Sequence, residues 1–419
     1  MITLIEALNF RCLRYVRQPL APFQVLVGPN ASGKTTFLDV VAFLGRLVSD
    51  GLEAALTERT QDVQDLVWQR SGTQFELALE MRIPDERRSR LSHPDHDTIR
   101  YEVAIGMDAD TAEVAILAER ALLKMADVAP VRQQRLFPDV PHGPATIQLS
   151  KQSKKARTVL RKIHGGNDNF YSEVTSESGK GWMPAFKFGP RKSALANLPA
   201  DETKFPVSSW LKEMLTSGIQ QLMLNSLLLR EMSRPGQGRG FRPDGANLPW
   251  VVADLQQKDP LRFGDWIAHV QTALPDLEDI HIRERPDNRH RYLVLYYRGG
   301  LEVPSWVASD GTLRLLALTL PAYLTDFEGI YLIEEPENGI HPRAIETLFQ
   351  SLSSVYDAQI LLATHSPVIL SVVRPAQVLC FAKTADGATD IIAGNDHPAL
   401  RDWRGETSLS VLFAAGVLG

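Results

Sequence analysis

The chain has 419 residues, of which 44% are hydrophobic and 23% are charged, a composition typical of a soluble globular protein rather than a largely disordered chain. Its 45 lysines and arginines against 50 aspartates and glutamates give a formal net charge of −5, so any contact with nucleic acid requires a local basic patch. Two cysteines, Cys12 and Cys380, are too few for a disulfide framework, and no apolar run reaches membrane-spanning length. We therefore expect a cytoplasmic protein and exclude secretion and membrane insertion.

The first 125 residues are predicted to be rich in β-structure. Strands are expected at residues 2–5 and 23–27, and the second leads through a glycine-containing loop into a helix at Thr35–Val48. Three further strands are predicted, at Phe75–Ile83, Ile99–Met107 and Glu113–Leu117. This order favours a mixed sheet over a regular series of β-α-β units.

Residues 126–245 differ in composition and are interpreted as an insertion with helical and irregular structure. Segments rich in Pro, Gly, Ser and Lys surround two predicted helices, Leu149–Ile163 and Pro206–Met232. The first helix would carry a basic run: Lys151, Lys154, Lys155, Arg157, Arg161 and Lys162. This run could contact duplex DNA, contact a protein partner, or form a solvated face, and the sequence leaves these alternatives open.

Residues 246–419 have the pattern of an α/β domain. A helical stretch at Pro249–Leu274 is followed by hairpin signals at residues 286–288 and at Gly299-Gly300. Buried strands at Ile330–Ile333, Ile360–Ala363 and Val378–Phe381 then alternate with helices.

The strongest motif is the segment from Gly28 to Thr35, which matches the phosphate-binding pattern G-x-x-x-x-G-K-[ST] between a predicted strand and a predicted helix. Backbone N–H groups of such a loop and of the helix start bind phosphates. Lys34 would reach the β- and γ-phosphates and Thr35 would bind Mg²⁺. The residues predicted to bind the nucleotide here are Asn30, Ala31, Ser32, Gly33, Lys34, Thr35 and Thr36.

A second motif is the apolar strand that ends in Glu334 and Glu335. Adjacent carboxylates repel each other unless a cation or a proton-transfer task separates them. We assign Glu334 to Mg²⁺ and Glu335 to activation of the attacking water. The alternative is a solvated loop that follows a core strand.

Two weaker motifs complete the set. His365 follows another buried strand and could sense the γ-phosphate, although a strand-end histidine is often only a polar cap. The segment from Ser309 to Thr312 precedes an apolar helix, and Ser309 could both cap that helix and face a phosphate.

In this order the motifs resemble the ABC-type ATPase heads of the SMC, RecF and OLD kind, within the AAA family. The strings S-D-G-T-x-R and E-E-P-E-N-G-x-H-P are similar to those of stand-alone bacterial "predicted ATPases". The resemblance implies an α/β P-loop NTPase head without a long coiled coil, with an N-terminal lobe at 1–125, an insertion at 126–245 and a C-terminal lobe at 246–419. It also implies that ATP and Mg²⁺ bind between two heads.

In such a dimer, Ser309 and Gly311 would act on the partner's nucleotide, while Lys34, Glu335 and His365 would be the catalytic residues. Arg11 resembles a family arginine near the nucleotide, although an exposed arginine at a strand end is an equal alternative. Gln69 is a weak candidate for the family's Q-loop.

The expected function is Mg²⁺-dependent ATP hydrolysis coupled to head-to-head dimerisation. The resemblance implies an ATPase subunit of a bacterial phage-defence system that controls a separately encoded effector, such as a nuclease or toxin. We expect that effector in another chain, because only 54 residues follow His365. The alternatives are a DNA-binding ATPase of DNA repair, similar to RecF and SMC, and a scaffold that binds ATP without hydrolysing it. The scaffold alternative is based on Glu334, because most members of the resembled family have Asp at this position.

Overall fold

The computed structural model describes residues 1–127, 136–140, 142–149, 156–174, 184–238, 240–325, 327–400, 408–416 and 418. In this part of the chain three sheets are present, of eight, six and three strands. The strands are β1 Ile2–Phe10, β2 Leu13–Pro19, β3 Phe23–Val27, β4 Gln74–Arg82, β5 Thr98–Met107, β6 Val114–Lys124, β7 Ala156–Ile163, β8 Asp168–Phe170, β9 Ala185–Phe186, β10 Ile219–Leu222, β11 Leu277–Glu284, β12 Arg291–Tyr297, β13 Leu301–Pro304, β14 Ile330–Glu334, β15 Gln359–Ala363, β16 Val378–Lys383 and β17 Thr389–Ala393.

The helices lie between and around these sheets. They are α1 Lys34–Asp50, α2 Leu52–Thr57, α3 Asp85–Arg88, α4 Pro206–Thr216, α5 Ser226–Arg230, α6 Leu248–Lys258, α7 Pro260–Gln271, α8 Asp310–Thr319, α9 Pro342–Ser353, α10 Pro367–Val372 and α11 Leu409–Ala414. The longest helix in the described ranges is α1, with 17 residues, so these ranges contain no long coiled coil. None of the helices in them is long and apolar enough to cross a membrane.

The six-stranded sheet positions the motifs. Its order is β10-β14-β15-β3-β16-β17, and all neighbouring strands are parallel except β16 and β17. The carboxyl ends of β14, β15, β3 and β16 therefore lie at one edge, where ligands bind in open α/β sheets. Both faces are covered, which explains why β14 and β15 are almost continuously apolar.

Helix α1 is enclosed between the six-stranded sheet and the antiparallel eight-stranded sheet. Its apolar residues pack with Phe10 and Phe75 of the eight-stranded sheet, and the Phe43 ring lies 5.9 and 5.7 Å from those two rings. A second core, built largely from α6 to α9, covers the other face of the six-stranded sheet. The loop that starts α1 is thus held between two cores.

The predicted α/β fold class with a mixed sheet is confirmed, and most of the predicted strands are present within a few residues. The helical stretch at Pro249–Leu274 is two helices, α6 and α7, which meet at Asp259 because Pro260 starts a new first turn. Both hairpin turns are present, joining β11 to β12 and β12 to β13. The three-part division at residues 125 and 245 stays a prediction.

Two helix predictions are wrong. The described part of Leu149–Ile163 is strand β7, which pairs antiparallel with β6, and Pro206–Met232 is divided into α4, β10 and α5. Strand β10 forms because Ile219–Leu222 adds in parallel to the edge of β14, and the Gly218 carbonyl accepts a hydrogen bond of 2.7 Å from the Ile330 amide. In both segments, pairing with another strand determined the conformation, although the local sequence has the periodicity of a helix.

The basic run is consequently not a helix face in the described residues. Arg157 donates to the Ser92 hydroxyl and, at 2.6 Å, to the Ser172 carbonyl. Lys162 is buried and its ammonium lies 2.8 Å from Asp168. Lys151, Lys154 and Lys155 lie outside the described residues.

Candidate active site

The loop between β3 and α1 lies at the carboxyl edge of the six-stranded sheet. Gly33 has φ of +100°, and a β-carbon there would stand 2.2 Å from the Thr389 hydroxyl oxygen, so glycine is required both for backbone conformation and for space. The same hydroxyl donates to the Ser32 carbonyl at 2.9 Å. Strand β17 therefore fixes the end of the loop from which α1 starts.

Lys34 and Thr35 occupy the first turn of α1. The Lys34 ammonium donates to the carbonyls of Gly28 at 2.8 Å and Pro29 at 2.9 Å. Burial lowers the pKa of Lys34 to about 8, and the negative charges of Glu335 and Glu334 act in the opposite direction. The Thr35 hydroxyl donates to the Glu334 carboxylate, which joins the start of α1 to the end of β14.

Glu335 follows β14 in a left-handed backbone conformation, with φ of +46°. Its amide donates to the Ala363 carbonyl at 2.8 Å, and its carboxylate accepts a hydrogen bond of 2.5 Å from the Asn338 side chain. This conformation is uncommon for a residue with a side chain and marks a constrained position. The neighbouring strand and the following loop thus orient an exposed carboxylate.

Glu337 connects that loop to the end of β15. One carboxylate oxygen accepts hydrogen bonds from the Thr364 hydroxyl at 2.6 Å and the His365 amide at 3.1 Å. Burial, followed by the charge of Lys34, lowers the pKa of His365, although Glu335 and Glu337 oppose the shift. A neutral imidazole has one donor and one acceptor nitrogen, so His365 can donate a hydrogen bond to an anion.

These residues surround one open cavity of about 690 Å³. Every predicted residue of the loop lines it, together with Arg11, Glu334, Glu335 and His365. Arg11 is held by Asp39 at 3.2 Å, and the weak Q-loop candidate Gln69 also lines the cavity. The lining residues that were not predicted are Cys12, Asp65, Val67, Arg70, Ala363, Lys383 and Gly387. Ala363 ends the predicted strand before His365, whereas the others reach the cavity through tertiary contacts that no local motif signals.

Ser309 and Gly311 are absent from the described residues that line this cavity. Ser309 caps α8, with its hydroxyl accepting from the Thr312 amide at 3.1 Å. Gly311 lies against the loop after β14, and a β-carbon there would stand 2.4 Å from the Gly339 carbonyl oxygen. The first turn of α8 and the loop after β14 are therefore in close backbone contact.

We expect Gly311→Ala to lower the free energy of unfolding by about 1–3 kcal/mol, because its methyl group cannot fit without moving the loop at Gly339. Gly264→Ala is the matched control. Gly264 lies within α7, and a β-carbon added there would meet nothing within 4 Å, so alanine should stabilise by about 0.5–1 kcal/mol. Urea unfolding of both variants measures the difference, and equal effects would contradict the close contact.

The donor atoms suit Mg²⁺ and a polyphosphate. Thr35 and Glu334 provide a hydroxyl and a carboxylate in direct contact, and hard oxygen ligands are what Mg²⁺ prefers. The amides at the start of α1 and the ammonium of Lys34 provide positive charge for phosphate oxygens. The residues present therefore fit both groups.

The sequence model of the family described as "AAA domain, putative AbiEii toxin, Type IV TA system" matches residues 133–371, more than half of the chain. The chain belongs to this AAA domain family. The matched range includes the Ser309 motif, both carboxylates and His365 of this AAA domain protein, and the phosphate-binding loop precedes it. No match was found among curated proteins.

Solved structures similar to this AAA domain protein include SMC heads. The SmcHead bound to the C-winged helix domain of ScpA is 12% identical, with a TM-score of 0.51 over 93% of this chain and 97% of that one, and it shows the fold. Two others have lower scores. The Pyrococcus furiosus Smc head domain bound to the C-terminal domain of ScpA is 11% identical, with a TM-score of 0.47 over 93% and 95% of the two chains. The SMC head domain from Thermotoga maritima is 10% identical, with 0.42 over 94% and 98%. The AAA part of the expected family is confirmed by the sequence model, and the expected fold of an SMC-type head is confirmed by the structural similarity.

Proposed function

We propose that this protein hydrolyses ATP with Mg²⁺ in a dimer that closes head to head around the nucleotide. The observation that carries the proposal is the cavity where Lys34, Thr35, Glu334, Glu335 and His365 meet. Phosphoryl transfer requires positioning and charge stabilisation, and these groups supply both.

We propose one role for each of these residues, and its contacts support that role. Lys34 exchanges the loop carbonyls for the β- and γ-phosphates of ATP. Thr35 and Glu334 would hold Mg²⁺, which would supply neutralising charge for those phosphates. Glu335 accepts the proton of the water that attacks the γ-phosphorus, as the bond to the ADP oxygen breaks. His365 donates a hydrogen bond to a γ-phosphate oxygen.

A second copy of the chain completes the site in this proposal. Ser309 and Gly311 lie at the start of a helix and do not line the cavity of their own chain, and a helix start is a suitable anion-binding group. Placed over the partner's γ-phosphate, they would make ATP part of the interface. Dimerisation would then depend on the nucleotide.

We further propose that the cycle controls a separately encoded effector, such as a nuclease or toxin, in phage defence. The family description, which refers to a type IV toxin–antitoxin system, supports a role beside such a partner. A stable complex with a protein encoded next to this one would support the proposal, and full function without any partner would contradict it.

The DNA-binding alternative has weaker support. In the described part of the basic run, Arg157 and Lys162 already bind groups of their own chain, which leaves Arg161 as the remaining described cation. The scaffold alternative depended on Glu334 being a poor substitute for aspartate. The Glu334 carboxylate reaches the Thr35 hydroxyl, and this contact supports the proposed role of Glu334 at the metal.

The test is steady-state ATP hydrolysis with and without duplex DNA, with Lys34→Ala as the blank. We expect a rate above the blank that DNA does not change. DNA stimulation that disappears with added salt would favour the DNA-binding alternative. Loss of that stimulation on charge reversal of Lys154, Lys155 and Arg161 together would locate the contact.

Nucleotide affinity should fall as the pH rises from 7 to 9. Only the charged form of Lys34 attracts phosphate, and its pKa of about 8 means that the charge is present below this pH and lost above it. The expected decrease in ADP affinity is about tenfold. Glu335→Gln should move the midpoint to lower pH, since Glu335 makes the larger of the two contributions that raise the Lys34 pKa. Calorimetric titration with ADP measures both effects, and a constant affinity from pH 7 to 9 would contradict them.

A further inference from the structure

Lys383, the last residue of β16, lines the nucleotide cavity, and its side-chain ammonium has no hydrogen bond or ion pair to any described residue. The side chains of the other lysine and of the two arginines in the cavity lining do have such partners. Lys34 binds loop carbonyls, Arg11 binds Asp39 and Arg70 binds Asp65. An exposed lysine without a partner is ordinary on a surface, but here it stands in the wall of the site.

Contacts of Thr389, of the Asp386 carboxylate and of the Asp386 carbonyl fix the backbone around Lys383. Across the β16–β17 pair it faces Thr389, whose hydroxyl holds the Ser32 carbonyl and whose amide donates to the Cys12 carbonyl at 2.9 Å. In the following turn, the Asp386 carboxylate accepts from Arg14 at 3.0 Å. The backbone carbonyl of Asp386 also accepts from the Gln69 side chain at 3.2 Å. The backbone position of Lys383 is thus tied to the phosphate-binding loop.

The strand order sets which part of a nucleotide Lys383 can reach. Glu334, Glu335 and His365 follow β14 and β15, on one side of β3, whereas Lys383 ends β16 on the other side. The carboxylates and the histidine define the γ-phosphate end of the cavity. The α-phosphate and ribose of the nucleotide would then lie on the other side of β3, the side on which Lys383 lies.

We propose that Lys383 is a nucleotide-binding residue that contacts the α-phosphate and ribose half of bound ATP. The inference rests on the proposed function for the identity of the ligand, and it adds a residue outside the motifs. Because this half is common to ATP and ADP, the contact persists after hydrolysis. Lys383 then retains ADP while His365 loses its γ-phosphate partner.

The test compares affinities of the full-length protein for ADP and for a non-hydrolysable ATP analogue by calorimetry. Lys383→Met should weaken both by about tenfold, as expected for one charge-assisted hydrogen bond. Lys383→Arg should restore most of the affinity. His365→Ala provides the contrast, because it should weaken the ATP analogue more than ADP. Lys192→Met, at an exposed lysine outside the cavity, should change neither.

Unchanged affinity of Lys383→Met for both nucleotides would overturn the inference, and so would a loss confined to the ATP analogue. A loss that arginine does not restore, accompanied by a lower melting temperature, would indicate a structural role and also overturn it. The proposed function is tested separately. If wild-type protein binds both nucleotides but hydrolyses no ATP above the Lys34→Ala blank, the hydrolysis proposal fails while the affinity comparison still decides the role of Lys383.

Discussion

Glu335→Gln is expected to lower the rate of ATP hydrolysis by about 10²–10⁴-fold, the usual contribution of a general base. An amide cannot accept the proton of the attacking water, yet it has nearly the same shape as the carboxylate. The backbone bond to Ala363 does not involve the side chain, and the Asn338 side chain can still donate to the amide oxygen. Folding should therefore be retained, and so should nucleotide binding at pH 7, below the range in which Lys34 loses its charge. Phosphate release under saturating ATP gives the rate.

Glu346→Gln is the matched control, since Glu346 is exposed on α9 and does not line the cavity. It should hydrolyse ATP at the wild-type rate. The outcome that contradicts the proposal is equal hydrolysis by wild type and Glu335→Gln, both above the Lys34→Ala blank, because water activation would then not depend on Glu335. If neither exceeded the blank while both bound ATP, the protein would be a nucleotide-dependent scaffold.

Mixing two inactive variants, Lys34→Ala and Ser309→Arg, should restore hydrolysis. In a mixed dimer, one site combines the intact Lys34 of one copy with the intact Ser309 of the other. At equal amounts and with random pairing, half of the dimers are mixed and each has one complete site. About a quarter of the wild-type activity is therefore the upper bound, and coupling between the two sites of a dimer lowers it. The physical basis is that Ser309 does not line the cavity of its own chain.

The control for this experiment is Ser89→Arg, a change of the same kind at an exposed serine outside the cavity. It should be fully active alone. If Ser309→Arg retained wild-type activity, or if mixing restored nothing while the mixture still formed dimers, the shared site would be refuted. Light scattering with an ATP analogue measures dimer formation in each sample.

The residues of the cavity that could be predicted from the sequence are those in local motifs. The loop before Lys34, the carboxylates after β14 and His365 each follow an apolar strand, and parallel strands bring their carboxyl ends together. A short sequence motif was therefore sufficient to predict both a cavity residue and the residues that lie beside it in the cavity. The fold class followed from the same alternation of strands and helices.

The residues that could not be predicted depend on contacts between distant segments. Glu337 acquires its position from Thr364, and Lys383 lines the cavity because β16 pairs with β3. The wrong helices have the same origin. Segment Ala156–Ile163 pairs with β6, and Ile219–Leu222 pairs with β14, so the sheets determine their conformation.

The contact between the start of α8 and the loop after β14 would couple the two nucleotide sites of the proposed dimer. Gly311 touches the Gly339 carbonyl, and the adjacent Asn338 holds Glu335 by a hydrogen bond of 2.5 Å. If a phosphate bound to the other copy displaced Gly311, this loop would transmit the displacement to Glu335, the proposed general base of the same copy as Gly311. The two sites would not act independently. Hydrolysis would be cooperative in ATP, and the release of phosphate at one site would be communicated to the other.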